Sequence, residues 1–299
     1  MSSQLHRTGS LRAAGFTYEE VRRRIRDGSL TPVRRGTYLE GPWPAEAHQR
    51  HRLAVQAAAR ELSPDAVISH VSAAVLHGLP TWRTCLRRVH ATRNRSSGGR
   101  RSRRVHIHVA SLAADAITTV DGISVTTVAR TVVDVARSVP FEEAVVVSDG
   151  ALASGLISRR ELEEVCGGLA GRRGGPRARR VVSFADGRSE SVGESRSRVA
   201  IVRSGLPEPV LQWEVRDRNR RLLGRADFGW PEHKVAGEFD GRLKYGRLVL
   251  PGQTAGDVYY EEKRREDAMR TVLRTVVRWG WDDLDDFHDT ATGIRHALG

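Results

Sequence analysis

The sequence is poor in the features that anchor membrane proteins and cross-link extracellular ones. Only two cysteines, Cys85 and Cys166, occur in 299 residues. They lie far apart, so the chain offers neither a disulfide framework nor a cysteine-rich zinc site. No stretch approaches the roughly 20 apolar residues that a membrane-spanning helix needs, and residues 1–9 lack the apolar segment of a signal peptide. We therefore expect a protein of the reducing cytoplasm with no membrane partner.

Lysine is also scarce, although the chain is strongly basic. Arginine supplies 46 of the 49 basic residues, acids number 36, and the formal net charge is +13. A surplus of this size favours a polyanionic partner, because cationic side chains that neutralise phosphates release counterions. A GC-rich genome would explain the exchange of lysine for arginine but not the surplus itself. We expect nucleic acid as the partner, and double-stranded DNA in particular.

Residues 1–44 have the outline of a winged helix-turn-helix. Thr17 can cap a helix that runs to Asp27, because Glu20 three residues later completes a capping box. Two short strands, 30–33 and 37–39, flank a turn at residues 34–36. The predicted DNA contacts are the basic residues of the helix and the turn: Arg22, Arg23, Arg24, Arg26, Arg34 and Arg35. The alternative is an ordinary helix with a solvated arginine face.

Residues 45–168 predict a mixed α/β domain, followed by a basic linker at residues 169–188. Between residues 83 and 108 there are nine arginines and no acid, which suits either a phosphate-contacting flap or a disordered basic loop. His106 and His108 share one face of a predicted strand and would suit a metal ion. Because the sequence shows no third ligand nearby, half-buried strand histidines are the preferred interpretation.

Residues 189–299 predict an α-β-β-β-α-β domain in which three acids come together. Asp227 lies near the end of the second strand, predicted over residues 222–230, and Glu238 lies in the third. Adjacent antiparallel strands place such residues side by side. Two neighbouring carboxylates repel each other unless a cation lies between them. Mg²⁺ or Mn²⁺ suits such oxygen ligands, and Glu194 on the preceding helix would complete the site. For either strand acid alone, a turn or edge-strand charge is the alternative.

The segments GRADFGW, VAGEFDGRLKY and EEKRREDAMRTVLRTVVRWGWDDL resemble the PD-(D/E)XK nuclease superfamily, and within it the Vsr-like domains. The resemblance implies a restriction-endonuclease-like fold and a divalent-metal site formed by Glu194, Asp227 and Glu238. Asp240 occupies the position of the lysine in the parent motif, and Lys244 the position of a His or Lys in Vsr-like members. We include both in the predicted catalytic set. Lys263 and Arg264, on a long helix predicted over residues 257–275, are predicted DNA contacts.

The segments GSLTPVRRGTYL, SHVSAAVLHGLP and GISVTTVARTVVDVAR resemble AbiEi-type antitoxins of type IV toxin–antitoxin systems. That resemblance implies a winged helix joined to a mixed domain, repression of the protein's own operon and a cognate toxin as a partner. The favoured prediction for the whole α+β multidomain chain is Mg²⁺-dependent cleavage of DNA. The alternatives are a non-enzymatic autorepressor with a degenerate nuclease fold, and a protein that acts only by neutralising a toxin.

Overall fold

The computed structural model describes residues 5–168, 171–241, 264 and 267–299. The chain divides into two compact units, the first made of residues 1–147 and 156–183, the second of residues 148–155 and 184–299. Both combine helices with a sheet, as expected for a multidomain α+β protein. Among the described residues, no helix has both the length and the apolar composition needed to cross a bilayer.

The first unit begins with a small three-stranded sheet and two helices. The elements are β1 (Leu5–Arg7), α1 (Thr8–Ala13), α2 (Tyr18–Arg26), β2 (Leu30–Arg34) and β3 (Thr37–Glu40). The strands are antiparallel in the order β1-β3-β2. Leu11, Val21 and Leu30 form the core beneath the helices. The predicted capping box is confirmed, because Glu20 N donates to Thr17 Oγ1 (3.2 Å) and Thr17 N donates to the Glu20 carboxylate (2.8 Å).

The remainder of the first unit is built on a six-stranded mixed sheet in the order β6-β7-β5-β4-β9-β8. The elements that follow along the chain are α3 (Ala47–Ala59), β4 (Ala66–Ile68), α4 (His70–Leu76), β5 (Val89–Arg93), β6 (Arg100–Arg101), β7 (Val105–Val109), β8 (Ile117–Val120), β9 (Ile123–Thr126), α5 (Val128–Ser138), α6 (Phe141–Ala153), α7 (Arg159–Gly168) and α8 (Gly175–Phe184). Helix α6 begins in the first unit, and its residues 148–153 belong to the second. Val55, Ile68 and Val125 are buried in the core between α3, α4 and the sheet.

Helix α8 corrects the predicted linker at residues 169–188. Ala178, Val181 and Val182 recur at helical spacing and are buried on one face. Gly174, with φ +81°, precedes the helix, and a side chain there would approach the Arg137 carbonyl oxygen to 2.7 Å. The apolar face therefore decides the structure of this segment, although its composition of Gly, Pro and Arg is typical of an exposed linker.

The second unit contains a four-stranded sheet in the order β10-β11-β12-β13. Its elements are α9 (Val192–Arg203), β10 (Val210–Arg216), β11 (Leu222–Trp230), β12 (Val235–Phe239), β13 (Thr275–Trp279) and α10 (His288–Leu298). Strand β11 is antiparallel to both β10 and β12, whereas β13 runs parallel to β12. The first helix and the four strands follow one another in the predicted order. The helix expected over residues 257–275 lies largely outside the described residues, and it does not reach 275, where β13 begins.

Candidate functional site

Helix α2 presents basic side chains to solvent in the first unit. Arg22, Arg23 and Arg26 are exposed, because Val21 points into the core and Ile25 is half-buried beside it. The Arg22 guanidinium lies 5.7 Å from the centre of the Tyr18 ring, and this ring is itself exposed. Stacking of a guanidinium on an aromatic face leaves its edge donors available for phosphates or bases.

Two of the predicted DNA contacts in this region already have partners in the fold. Arg24 stacks over the Phe16 ring, 4.4 Å from its centre. Arg34 forms an ion pair with Glu61 at 2.9 Å and is half-buried, whereas Arg35 at the tip of the hairpin is exposed. In the second unit Arg264 is exposed, and Lys263 lies outside the described residues.

The acids of the second unit are positioned by the way α9 packs on the sheet. A Cβ on Gly193 would overlap with the Phe239 ring, so a glycine is required where the first turn of the helix crosses β12. One turn later, Ser197 accepts a hydrogen bond from Trp279 Nε1 (2.7 Å). These contacts hold the N-terminal turn of α9, which includes Glu194, against the sheet.

Glu194 is buried, with 6% of its surface exposed, and both of its carboxylate oxygens accept hydrogen bonds. Ser191 Oγ donates to one oxygen (2.7 Å). Glu190 N (3.0 Å) and Gln212 Nε2 (2.8 Å) donate to the other. Burial raises the pKa of Glu194, and the nearby Asp227 carboxylate raises it further, although the first two of these hydrogen bonds oppose the shift. Glu194 and Asp227 are therefore close enough to repel each other electrostatically.

Asp227 and Glu238 lie opposite each other on adjacent strands. The register pairs Phe228 with Gly237, so continuing it by one residue pairs Asp227 with Glu238. Directly paired residues of an antiparallel ladder share a face, and here it is the face opposite the buried Phe228. Asp227 Oδ2 accepts a hydrogen bond from Phe239 N (2.9 Å). Glu238 forms an ion pair with Arg278 on β13 at 2.8 Å.

The three acids do not converge as closely as ligands around a bound ion. Within the described residues, the one group of three or more His, Cys, Asp or Glu whose ligand atoms all lie within 4.8 Å of one another is His70, His90 and His108, in the first unit. Of the other predicted catalytic residues, Asp240 is exposed at the end of β12 and Lys244 lies outside the described residues. Asp227 and Glu238 therefore face each other, and Glu194 lies near Asp227 with both of its carboxylate oxygens hydrogen-bonded to protein groups.

Two further residues of this region were not predicted from the sequence. Gln212 binds Glu194 and has a left-handed backbone (φ +52°), which is uncommon for a residue other than glycine. Arg278 pairs with Glu238 because β13 runs parallel to β12 and places the two residues in register. The alternation of Arg278 with Val277 and Trp279 was a usable signal for Arg278, whereas nothing local in the sequence marks Gln212.

The family comparison matches residues that lie mostly in the first unit. Residues 65–184 match the family model described as the AbiEi antitoxin C-terminal domain. This confirms the AbiEi resemblance for those residues. The match does not extend past residue 184, so the resemblance of the second unit to Vsr-like nucleases stays a prediction.

Two relatives and one solved structure were found in Mycobacterium tuberculosis. The uncharacterized proteins MT2308 (strain CDC 1551 / Oshkosh) and Rv2248 (strain H37Rv) are each 32% identical over 160 residues, covering 49% of this chain. The aligned part spans only 59% of the length of these relatives. The crystal structure of the RV2827C protein has a TM-score of 0.39 and 17% identity, covering 60% of this chain and 71% of that one.

Proposed function

We propose that this protein is a DNA-binding protein of the toxin–antitoxin type, with a promoter as its site and a cognate toxin as its partner. The match of residues 65–184 to the AbiEi antitoxin C-terminal domain is the observation on which this proposal rests. The formal charge of +13 supports a polyanionic ligand. The matched residues do not include the N-terminal elements, so the DNA-contacting surface is inferred from their geometry.

The N-terminal elements suit a winged helix-turn-helix in which α2 is the recognition helix. Helices α1 and α2 are joined by the four residues 14–17, and the hairpin of β2 and β3 follows as the wing. Nine residues give α2 a length of about 13 Å, which the major groove accommodates. Arg22, Arg23 and Arg26 would then contact bases and phosphates, and Arg35 on the wing would contact the adjacent backbone.

The test is DNA binding by a variant that lacks the charges of α2. Replacing Arg22, Arg23 and Arg26 by Gln keeps good helix formers and removes three cationic contacts. Affinity for a labelled duplex of the protein's own promoter, measured by fluorescence anisotropy, should fall roughly 100-fold or more. A matched control replaces three exposed arginines elsewhere, Arg160, Arg218 and Arg221, and should change affinity by less than about fivefold. Equal losses in both variants would overturn the assignment of α2.

A second candidate function is metal-dependent hydrolysis of phosphodiester bonds in the second unit. It is favoured by the pairing of Asp227 with Glu238, and by the proximity that raises the pKa of Glu194. A divalent cation between these carboxylates would remove their repulsion and activate a water molecule. The Arg278 partner of Glu238 would have to yield to that cation. Asp240, in the position of the motif lysine, supports instead a degenerate site that only binds DNA.

A plasmid-nicking assay with Mg²⁺ or Mn²⁺ distinguishes an active hydrolase site in the second unit from a degenerate site that only binds DNA. If the site is active, Glu238→Gln and Asp227→Asn should each lower the nicking rate by more than about 100-fold. Glu232→Gln is the matched control, because Glu232 is exposed on the short turn between the same two strands. Equal nicking by all four proteins would reject the hydrolase and leave promoter binding unaffected.

A further inference from the structure

Four histidines meet on one part of the six-stranded sheet in the first unit. Strands β5 and β7 are parallel neighbours, and their register pairs His90 with His106. His108 follows two residues later on the same face of β7, and its ring centre lies 3.8 Å from that of His106. His90 Nδ1 lies 3.0 Å from His108 Nε2, within hydrogen-bonding distance.

His70, from a different part of the chain, completes the group. It is the first residue of α4 and is separated from the end of β4 by Ser69. Its ring stacks on that of His108 with 3.8 Å between centres and 14° between planes. The residue is buried and its backbone is left-handed, with φ +53°. Such a conformation costs on the order of 1 kcal/mol or more for a non-glycine residue, and strain of this kind is concentrated at functional sites.

We propose that His70, His90 and His108 bind a transition-metal ion of the Zn²⁺ class. One ligand nitrogen from each residue lies within 4.8 Å of the other two. Around a tetrahedral ion with Zn–N distances of about 2.0–2.1 Å, ligand nitrogens are roughly 3.4 Å apart. The 3.0 Å between His90 Nδ1 and His108 Nε2 is already close to this spacing, and the stack of His70 on His108 would have to open. Three imidazoles leave a fourth position for water or for the neighbouring His106.

The surroundings suit an imidazole site better than a hard-cation site. Imidazole nitrogen is a preferred ligand of Zn²⁺, Cu²⁺ and Ni²⁺, whereas Mg²⁺ requires oxygen. Arg130 and Arg137 lie near His70, but both are paired with the buried Asp134, at 2.9 and 3.2 Å.

A bound ion would join α4 to β5 and β7 through ligands that are 20 and 18 residues apart in the sequence. It would therefore act as an internal clamp of the AbiEi-like region, because all three ligands lie within residues 65–184. The expected consequence is a metal-dependent gain in the stability of the first unit. This inference does not depend on DNA binding or on the acids of the second unit.

The test is titration of the tag-free full chain with Co²⁺, followed by displacement with Zn²⁺. Visible absorption should show one tetrahedral Co²⁺ per chain without the thiolate charge-transfer band that Cys85 would produce. His90→Gln and His108→Gln should each weaken binding by about 100-fold or more. His296→Gln, an exposed histidine on α10, and Asp227→Asn serve as controls and should bind Co²⁺ like the unmodified chain.

The measurement on the unmodified chain decides the outcome even if a variant fails to fold. Circular dichroism of each metal-free variant shows whether it retains the fold. No saturable Co²⁺ binding by the unmodified chain would overturn the proposal. So would a thiolate spectrum, or binding that is lost in Asp227→Asn but retained in a folded His90→Gln variant.

Discussion

Among the described residues, the two units bury titratable groups of opposite kinds. In the first unit the buried groups are mainly imidazoles: His51 lies against Leu86 O and Ser72 Oγ at 2.8 Å each, and burial lowers its pKa to about 4. In the second unit they are carboxylates, and burial raises the pKa of Asp149 to about 6. Loss of water disfavours the charged form of either group, so the same physical effect shifts bases and acids in opposite directions.

The difference also determines what each group needs as a partner. A neutral imidazole in the first unit is satisfied by hydroxyl and carbonyl groups, or by a metal. The carboxylates of the second unit need cations or several donors: Asp149 pairs with Arg198 at 2.8 Å, and Glu238 with Arg278. Asp134 in the first unit follows the same rule, since it lies between two arginines. This explains why the histidines approach a ligand geometry while the acids remain engaged with the protein.

We expect the largest effect on stability from Asp149→Ala, which tests whether the buried ion pair of the second unit needs both of its partners. The change leaves the Arg198 guanidinium, 6% exposed, without its carboxylate, and should lower the free energy of unfolding by about 3–5 kcal/mol. Urea denaturation of the second unit measures it. The control is Glu214→Ala, which removes an exposed ion pair with Arg216 and should change stability by less than about 1 kcal/mol. Similar losses of stability in the two variants would contradict the expected cost of leaving the buried Arg198 charge without its partner.

Mild acid should affect the two units in opposite directions. The folded-state pKa of His51 lies below its ordinary value of 6.5, so its contribution to stability is present above pH 6.5 and is lost as the pH falls towards 4, by about 3 kcal/mol. The folded-state pKa of Asp149 is raised from 3.8, so its contribution is present below pH 3.8 and is lost as the pH rises through about 6.

Hydrogen exchange measured between pH 7 and 5 can follow both units in one sample. Peptides from α4 should lose protection as the pH falls, after correction for the intrinsic exchange rate, and peptides from β11 should not. His51→Gln should reduce the loss in α4. Parallel loss of protection in both units would contradict the assignment of opposite titration effects.

We expect the smallest effect on stability at the surface of the first unit, where the side chain of Thr17 caps α2. Thr17→Ala removes the side-chain cap of α2 and should lower stability by about 1 kcal/mol, because Glu20 N loses its acceptor. Thermal denaturation of the first unit measures this loss. Thr119→Ala is the control, because Thr119 is exposed on β8. Thr31→Ala would be unsuitable, because Thr31 Oγ1 donates a hydrogen bond to Gly41 O. A Thr119→Ala loss as large as that of Thr17→Ala would contradict the capping argument.

The sequence predicted those parts of the fold in which local pattern and tertiary packing agree. The predicted strand at residues 222–230 has the same bounds as β11, because alternating burial of Ala226, Phe228 and Trp230 is visible in the letters themselves. The facing positions of Asp227 and Glu238 followed from strand length and the short turn between the strands. The capping box at Thr17 is likewise a purely local signal.

Other parts depend on contacts that no local pattern encodes. Strand β1 and helix α1 have three and six residues, too few for a periodicity to be recognised. The histidine group requires the parallel pairing of β5 with β7 and the left-handed backbone of His70, so the sequence showed His106 and His108 without their partners. Arg34 could not be separated from the other predicted DNA contacts, because its pairing with Glu61 joins residues 27 positions apart.

The most direct test of DNA binding by α2 is the salt dependence of promoter affinity. The unmodified chain and the variant with Arg22, Arg23 and Arg26 changed to Gln are compared between about 50 and 200 mM salt. If the three side chains contact phosphates, the slope of log K against log salt should be shallower in the variant by about 3. Identical slopes in the two proteins would contradict the proposal that this helix lies against DNA.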